Sequence, residues 1–414
     1  HPTPHTPHPT PRAPLFDYNS ILAFSAGNPS EAFGDRYKVF DKERKIARLP
    51  RPPFQFLDRI VSIENCEQWK LAAGGVIEAE YDVPPLGGEG AWYFASNRQN
   101  EMPFAVLLET ALQPCGWLAA YLGSALTSDT DLRFRNLGGS ATQFLPVTPD
   151  IGTLTTTIKI TRVSQSGGMI IQNYDMTMRS AQGIVYRGDT YFGFFSADAL
   201  RDQVGIRDAK LFVPDEAELT ARAARTLRLE YPTAAPFSDA KFRMIDHIEH
   251  FDPQGGPHKL GFIQGTMNVN PAAWFFEAHF YEDPVVPGSL GLESFIQLLK
   301  FVAAEKAGVG CRVSGVGKTS DITSGSALSA SSDTRNPTPE TLAFSSPALG
   351  KKHTWIYRGQ VVPKDSLVTV QAVVTEFDEV SRCIKADGFL SVDGRTIYQM
   401  KDFTLAWHQA LSET

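Results

Sequence analysis

The sequence predicts an α+β chain that is built twice. Each half is one long buried helix wrapped by an antiparallel sheet. The two sheets join edge to edge and the two helices face one interface. Three observations carry this prediction. The chain repeats itself once, it holds two helices that are apolar nearly all round, and it has Thr- and Val-rich alternating segments after each helix.

The repeat comes first. "FQFLDRI" (54–60) returns as "FRMIDHI" (242–248), and "GVIEAEYDVP" (75–84) is echoed by "GTMNVNPAAW" (265–274). "AWYF" (91–94) returns as "AWFF" (273–276), and "PFAVLLETALQ" (103–113) as "PGSLGLESFIQ" (287–297). "FLPVTPDIGTLT" (144–155) matches "GQVVPKDSLVT" (359–369), and "SAQGIVYRGDTYFGFF" (180–195) matches "VDGRTIYQMKDFTLAW" (392–407). The order is kept throughout, and a period this long is a duplicated domain rather than a solenoid. The expected division is a Pro-rich linker at 1–13, a first unit at 14–230 and a second at 231–414.

Helices are expected at 103–123 and 287–307. In the second, Leu290, Leu292, Phe295, Ile296, Leu298, Leu299, Phe301 and Val302 fit no single stripe, so the helix is buried on all sides. "LTTTIKITRV" (154–163) and "LVTVQAVVTEF" (367–377) alternate as strands do. "VDGRTIY" (392–398) carries an Asp-Gly hairpin turn. The Ser/Thr/Gly-rich run 318–345 reads as a mobile surface loop, and the basic run "KERKIARLPR" (42–51) as a solvated face rather than a docking site.

Composition excludes several classes. The chain has 414 residues, 42% hydrophobic and 21% charged, which is globular. A net charge of -7 does not suit nucleic acid. No apolar run reaches membrane-spanning length. Cys66, Cys115, Cys311 and Cys383 are far apart, without metal-ligand spacing, and read as reduced thiols of an intracellular protein. The opening "HPTPHTPHPTPRAP" reads as an interdomain linker, so the chain is expected to be a piece of a longer multidomain polypeptide. Its His1, His5 and His8 are in a tract too flexible to make a good metal site.

The segment "AHFYEDPVVPGSLGLESFIQ" holds the chemistry. His279, Phe280, Asp283, Pro284, Val285, Pro287, Gly288, Glu293 and Gln297 resemble the signature of the 3-hydroxyacyl-[acyl-carrier-protein] dehydratases, which have a hot dog fold. With "PFAVLLETALQPCGWLAAYLGSAL" (103–126), the duplicated form resembles the FabA-like, double hot dog dehydratase region of polyunsaturated fatty acid synthases. The resemblance implies a tandem hot dog fold. It also implies dehydration of 3-hydroxyacyl chains to 2-enoyl chains on acyl carrier protein, with isomerisation of the product left open, inside a cytoplasmic megasynthase. No bound cofactor and no metal are implied, because the phosphopantetheine arm arrives with the substrate. The family branch that also isomerises usually carries Asp at the position of Glu293, and the branch that only dehydrates carries Glu.

Dehydration needs a base at C2, an acid for the leaving hydroxyl, and donors for the charge on the thioester oxygen. Histidine suits the base, a carboxyl in an apolar tunnel suits the acid, and a helix N-terminus supplies donors. In the family the site spans two hot dogs. Carried over, His279 works with Glu109 of the other half. Gly288 supplies an N–H that the substrate can approach closely, and Gln113 supports the acid. Aligning Trp92 with Trp274 puts Asn97 where His279 stands. Asn97, Glu293 and Gln297 would then form a vestigial second site without its base, in which Glu293 is either a remnant or a structural mate of Gln297 on one helix face. Asp283 is expected to organise its turn through its side chain. Two other readings stay open: a thioesterase or hydratase on the same fold, and a non-catalytic scaffold that docks acyl carrier proteins. A homodimer also stays open.

Overall fold

A computed structural model describes residues 12–215, 229–308 and 342–409. His1, His5, His8, Cys311 and residues 318–341 of the predicted loop lie outside the described residues. The strands are β1 (Arg59–Glu64), β2 (Val76–Asp82), β3 (Arg133–Gln143), β4 (Thr153–Ser166), β5 (Met169–Ser180), β6 (Gly183–Phe195), β7 (Leu229–Glu230), β8 (His247–Asp252), β9 (Phe262–Asn268), β10 (Leu342–Ser345), β11 (Lys352–Tyr357), β12 (Leu367–Asp378), β13 (Cys383–Val392) and β14 (Arg395–Gln409). The α-helices are α1 (Tyr18–Ala26), α2 (Pro29–Phe33), α3 (Val39–Lys42), α4 (Trp92–Asn97), α5 (Phe104–Tyr121), α6 (Ala197–Arg201), α7 (Trp274–Ala278) and α8 (Gly288–Lys306).

The strands form one antiparallel sheet in the order β1-β2-β4-β5-β6-β3-β11-β14-β13-β12-β9-β8-β7, with β10 on β14. The order reads alike from either end: β1-β2-β4-β5-β6-β3 and β8-β9-β12-β13-β14-β11 are the same path walked twice. The seam is the β3–β11 pair, where Gly139 faces Trp355 and Thr142 faces Lys352. A Cβ on Gly139 would stand 2.6 Å from the Trp355 ring, so this glycine is what lets the seam close.

Each half wraps its sheet round one helix, α5 or α8, and the two helices pack against each other. Sixteen of the eighteen residues of α5, and sixteen of the nineteen of α8, are buried. Burial on all sides explains why neither sequence shows a single apolar stripe. This is the expected double hot dog. The Asp393–Gly394 turn takes φ 47° and 81°, the left-handed pair that a two-residue hairpin requires.

Three expectations change. Leu342–Ser345, the end of the predicted loop, is strand β10, with Leu342 and Phe344 buried against the core. Alternation over four residues is too short a pattern to stand out beside a Ser/Thr-rich run. The echo of 75–84 in 265–274 is displaced. Asp82 N–H donates to Asp58, and Asn268 N–H donates to Asp246, so Asp82 matches Asn268. Finally, the basic run 42–51 is no simple solvated face, because Ile46, Arg48, Leu49 and Pro50 are buried. Arg48 is 7% exposed and donates to the carbonyls of Phe24 and Gly27.

Candidate active site

α7 ends at His279, and the chain turns back through 280–287 to start α8 at Gly288. The turn is closed by the main chain: Val285 N–H donates to His279 O, and Phe280 and Asp283 exchange backbone hydrogen bonds. The Asp283 side chain therefore does not organise the turn as predicted. It accepts from Arg133 at 2.7 Å and from Arg135 at 2.7 Å and 2.9 Å, both on β3 of the other half. It ties the histidine loop across the seam, a task that a bidentate guanidinium performs well.

His279 is 7% exposed, and its Nδ1 lies 3.2 Å from the Val285 carbonyl. A carbonyl only accepts, so Nδ1 carries the proton and Nε2 is left with its lone pair. Burial pushes the imidazole down to about 3, opposed by the Val285 hydrogen bond. The ring is neutral at physiological pH.

Glu109 lies in the second turn of α5 and is 6% exposed. Burial pushes its carboxyl up to about 7, against hydrogen bonds from Ser289 and Gln113. Ser289 Oγ donates to it at 2.7 Å and Gln113 Nε2 at 3.2 Å. Gln113 is itself pinned, with Phe56 N–H donating to it at 2.8 Å while it donates to Phe54 O at 2.9 Å. Replacing Gln113 with Leu leaves both backbone groups unpaired. We expect a loss of about 1–3 kcal/mol in thermal or chemical unfolding.

One cavity brings these groups together: His279, Glu109, Gln113, Gly288, Ser289 and Tyr357 all line it. Leu49, Leu112, Phe134, Phe192, Val285 and Val286 make it largely apolar. The predicted residues His279, Glu109, Gly288 and Gln113 thus meet. Ser289 and Tyr357 were not predicted. Ser289 matches Ala105 in the repeat, and that difference beside a helix start was a usable signal.

The second predicted cluster is elsewhere and is built differently. Asn97, Glu293 and Gln297 are all buried, and none of them lines the cavity. Gln297 repeats the role of Gln113, accepting from Met244 N–H at 2.8 Å and donating to Phe242 O at 2.9 Å. It does not mate with Glu293 as expected. Glu293 pairs instead with Lys300 Nζ at 3.3 Å, and Lys300 donates to Asn97 at 3.0 Å. Ala105 N–H, in the first turn of α5, is 3.4 Å from the other Glu293 oxygen. Burial raises the Glu293 carboxyl while Lys300 lowers it. Lys300 stands seven residues after Glu293, whereas Gly116 stands seven after Glu109 and lines the cavity. A lysine inside the apolar stretch of the helix, two turns from a glutamate, was the sequence signal for this pair.

Among the described residues, no group of three or more His, Cys, Asp or Glu side chains is placed to hold a metal ion. No helix among them is long and apolar enough to cross a membrane. Cys66, Cys115 and Cys383 are free thiols.

The sequence profile of the FabA-like domain matches residues 49–188 and 237–318, together more than half of the chain. The chain belongs to the FabA-like domain family. The matched segments carry Glu109, Gln113, His279 and Gly288 of this FabA-like chain. It is 27% identical to one of the polyunsaturated fatty acid synthase polypeptides of Thraustochytrium sp. over 96% of its own length. It spans only 26% of that relative. Among solved structures it resembles the dehydratase domain from the CurJ module of curacin polyketide synthase, at 14% identity and a TM-score of 0.41, covering 84% of this chain and 96% of that one. It also resembles the pyran synthase domain from module nine of the sorangicin pathway, at 12% identity and a TM-score of 0.43, covering 87% and 99%.

Proposed function

We propose that this FabA-like chain dehydrates 3-hydroxyacyl thioesters, delivered by an acyl carrier protein, to 2-enoyl thioesters. The units at 14–230 and 231–414 are the two hot dogs of one domain of a multidomain fatty acid synthase. The observation that carries the reading is the pairing of an unprotonated imidazole nitrogen with a buried carboxyl of raised pKa, from opposite halves, in one apolar cavity.

His279 Nε2 takes the C2 proton of the substrate. The electron pair of the broken C2–H bond becomes the second, π bond of the C2=C3 double bond as the C3–O bond breaks. The leaving oxygen takes the Glu109 proton and departs as water. Return of the C2 proton from His279 to Glu109 resets the site. Negative charge builds on the thioester oxygen during the first step, and the free N–H groups of the first turn of α8 are suited to hold it. Ser289 and Gln113 keep the Glu109 carboxyl in one orientation while the surrounding hydrocarbon keeps it protonated. Isomerisation of the 2-enoyl product is not needed for this scheme.

The test is turnover of a 3-hydroxyacyl pantetheine thioester by the full chain, followed by product analysis. A 2-enoyl thioester supports the proposal, and the free acid would point to a thioesterase. An inert chain that still binds acyl carrier protein would leave the scaffold reading. The pH profile is a second check. Glu109 must keep its proton and sits near 7, so the rate falls as pH rises through about 7. His279 is already neutral above about 3, so no ascending limb is expected near pH 6.5.

A further inference from the structure

Tyr357 is the last residue of β11, and the mechanism above does not use it. It is 5% exposed, and its hydroxyl has no hydrogen-bond partner among the described residues. A buried, unpaired hydroxyl is costly, typically by about 1–3 kcal/mol, so it needs an explanation. The ring lies over the start of α8. A Cβ on Gly288 would stand 2.8 Å from Tyr357 Cζ and 3.1 Å from its hydroxyl oxygen. Any larger residue at 288 would displace the tyrosine. Tyr398 packs against it at 4.5 Å between ring centroids, which holds the ring in place. Tyr357 also lines the same cavity as His279 and Glu109.

The hydroxyl therefore sits beside the helix end whose first N–H groups have no intrahelical acceptor. The neighbouring polar groups already have partners: Ser289 Oγ is engaged by Glu109, and Gln113 by the 54–56 backbone. What this corner of the cavity lacks is an acceptor for the tyrosine and for the Gly288 N–H.

We propose that the Tyr357 hydroxyl donates a hydrogen bond to the thioester oxygen of the substrate, beside the backbone N–H of Gly288. This rests on the dehydratase reading for its substrate. Tyr357 transfers no proton. It shares the charge that develops on the oxygen while His279 holds the C2 proton, and the bond strengthens as that charge grows. Burial raises the phenol well above its usual range, so it remains a donor across the working pH range.

Two measurements on the full chain test it. Tyr357→Phe is expected to lower kcat by roughly 10²–10³-fold, as loss of one such donor does, with little change in KM. The second measurement does not depend on turnover. In a His279→Ala background, where the substrate stays intact, the infrared carbonyl band of a bound 3-hydroxyacyl pantetheine thioester is compared with and without Tyr357→Phe. A lower carbonyl frequency when the tyrosine is present supports the proposal. An unchanged band, or an unchanged kcat in an active chain, overturns it. If the parent is inert, the dehydratase reading fails, and the band alone decides whether Tyr357 binds a thioester oxygen.

Discussion

His279→Ala is expected to lower dehydration by about 10²–10⁴-fold, the range for losing a positioned base, and Glu109→Gln by a similar factor for losing the acid. Both changes are local. His279 makes one side-chain hydrogen bond, to Val285, and Glu109→Gln keeps an oxygen that can accept from Ser289. The folded state should survive both, and a thermal melt of each variant checks that. Because the two groups act on one substrate molecule, the double variant should be little slower than either single one. Addition of the two losses would mean that the two groups act independently rather than as a unit. Full activity in Glu109→Gln would remove the cross-half pairing altogether. The reverse reaction, hydration of a 2-enoyl thioester, should fall by the same factors, since both directions share one transition state.

The largest effect on stability is expected from Lys300→Met. Lys300 and Glu293 are 2% and 0% exposed at their side chains, and they pair at 3.3 Å. Removing one partner of a buried pair leaves an uncompensated charge and costs about 3–5 kcal/mol. The double variant Lys300→Met/Glu293→Gln removes both charges and should recover most of that loss. Glu293→Gln alone should also destabilise, because it strips Lys300 of its carboxylate, yet the folded fraction should still turn over. The pH dependence gives the sign. Burial holds the Glu293 carboxyl above its ordinary range in the folded state, and without Lys300 it rises further. The folded state then binds more protons than the unfolded one, so stability falls as pH rises above the unfolded value of about 4.3. The Lys300→Met deficit should be small near that pH and grow toward neutrality. Chemical denaturation across that range measures it, and a deficit independent of pH would show that Glu293 is not the charge involved.

The cluster of Asn97, Glu293 and Lys300 stands where the repeat would place a second site. A base is missing, since asparagine accepts no proton near neutral pH, and an ammonium group fills the place beside the acid. On the other side, position 116 is glycine, and the space stays open as cavity wall. The two halves thus share one fold, and among the described residues the cavity joins His279 to Glu109 and leaves out Asn97 and Glu293.

Much of this is readable in the amino-acid order alone. The duplication announces two equivalent halves. The uniform apolarity of 287–304 announces a helix buried on every side, and the run from His279 to Gln297 carries the motif on which the proposed chemistry rests. These features are local, being set by side-chain period, turn residues and spacing along one segment. Ser289 on Glu109, Asp283 on Arg133 and Arg135, Lys300 on Asn97 and Tyr357 over Gly288 are not readable in that way. Periodicity reports that a face is buried, but not what it is buried against. The Ser289–Glu109 contact joins residues 180 positions apart, and the Lys300–Asn97 contact joins residues 203 apart. Such pairs exist only because the β3–β11 seam and the α5–α8 contact bring the two halves face to face.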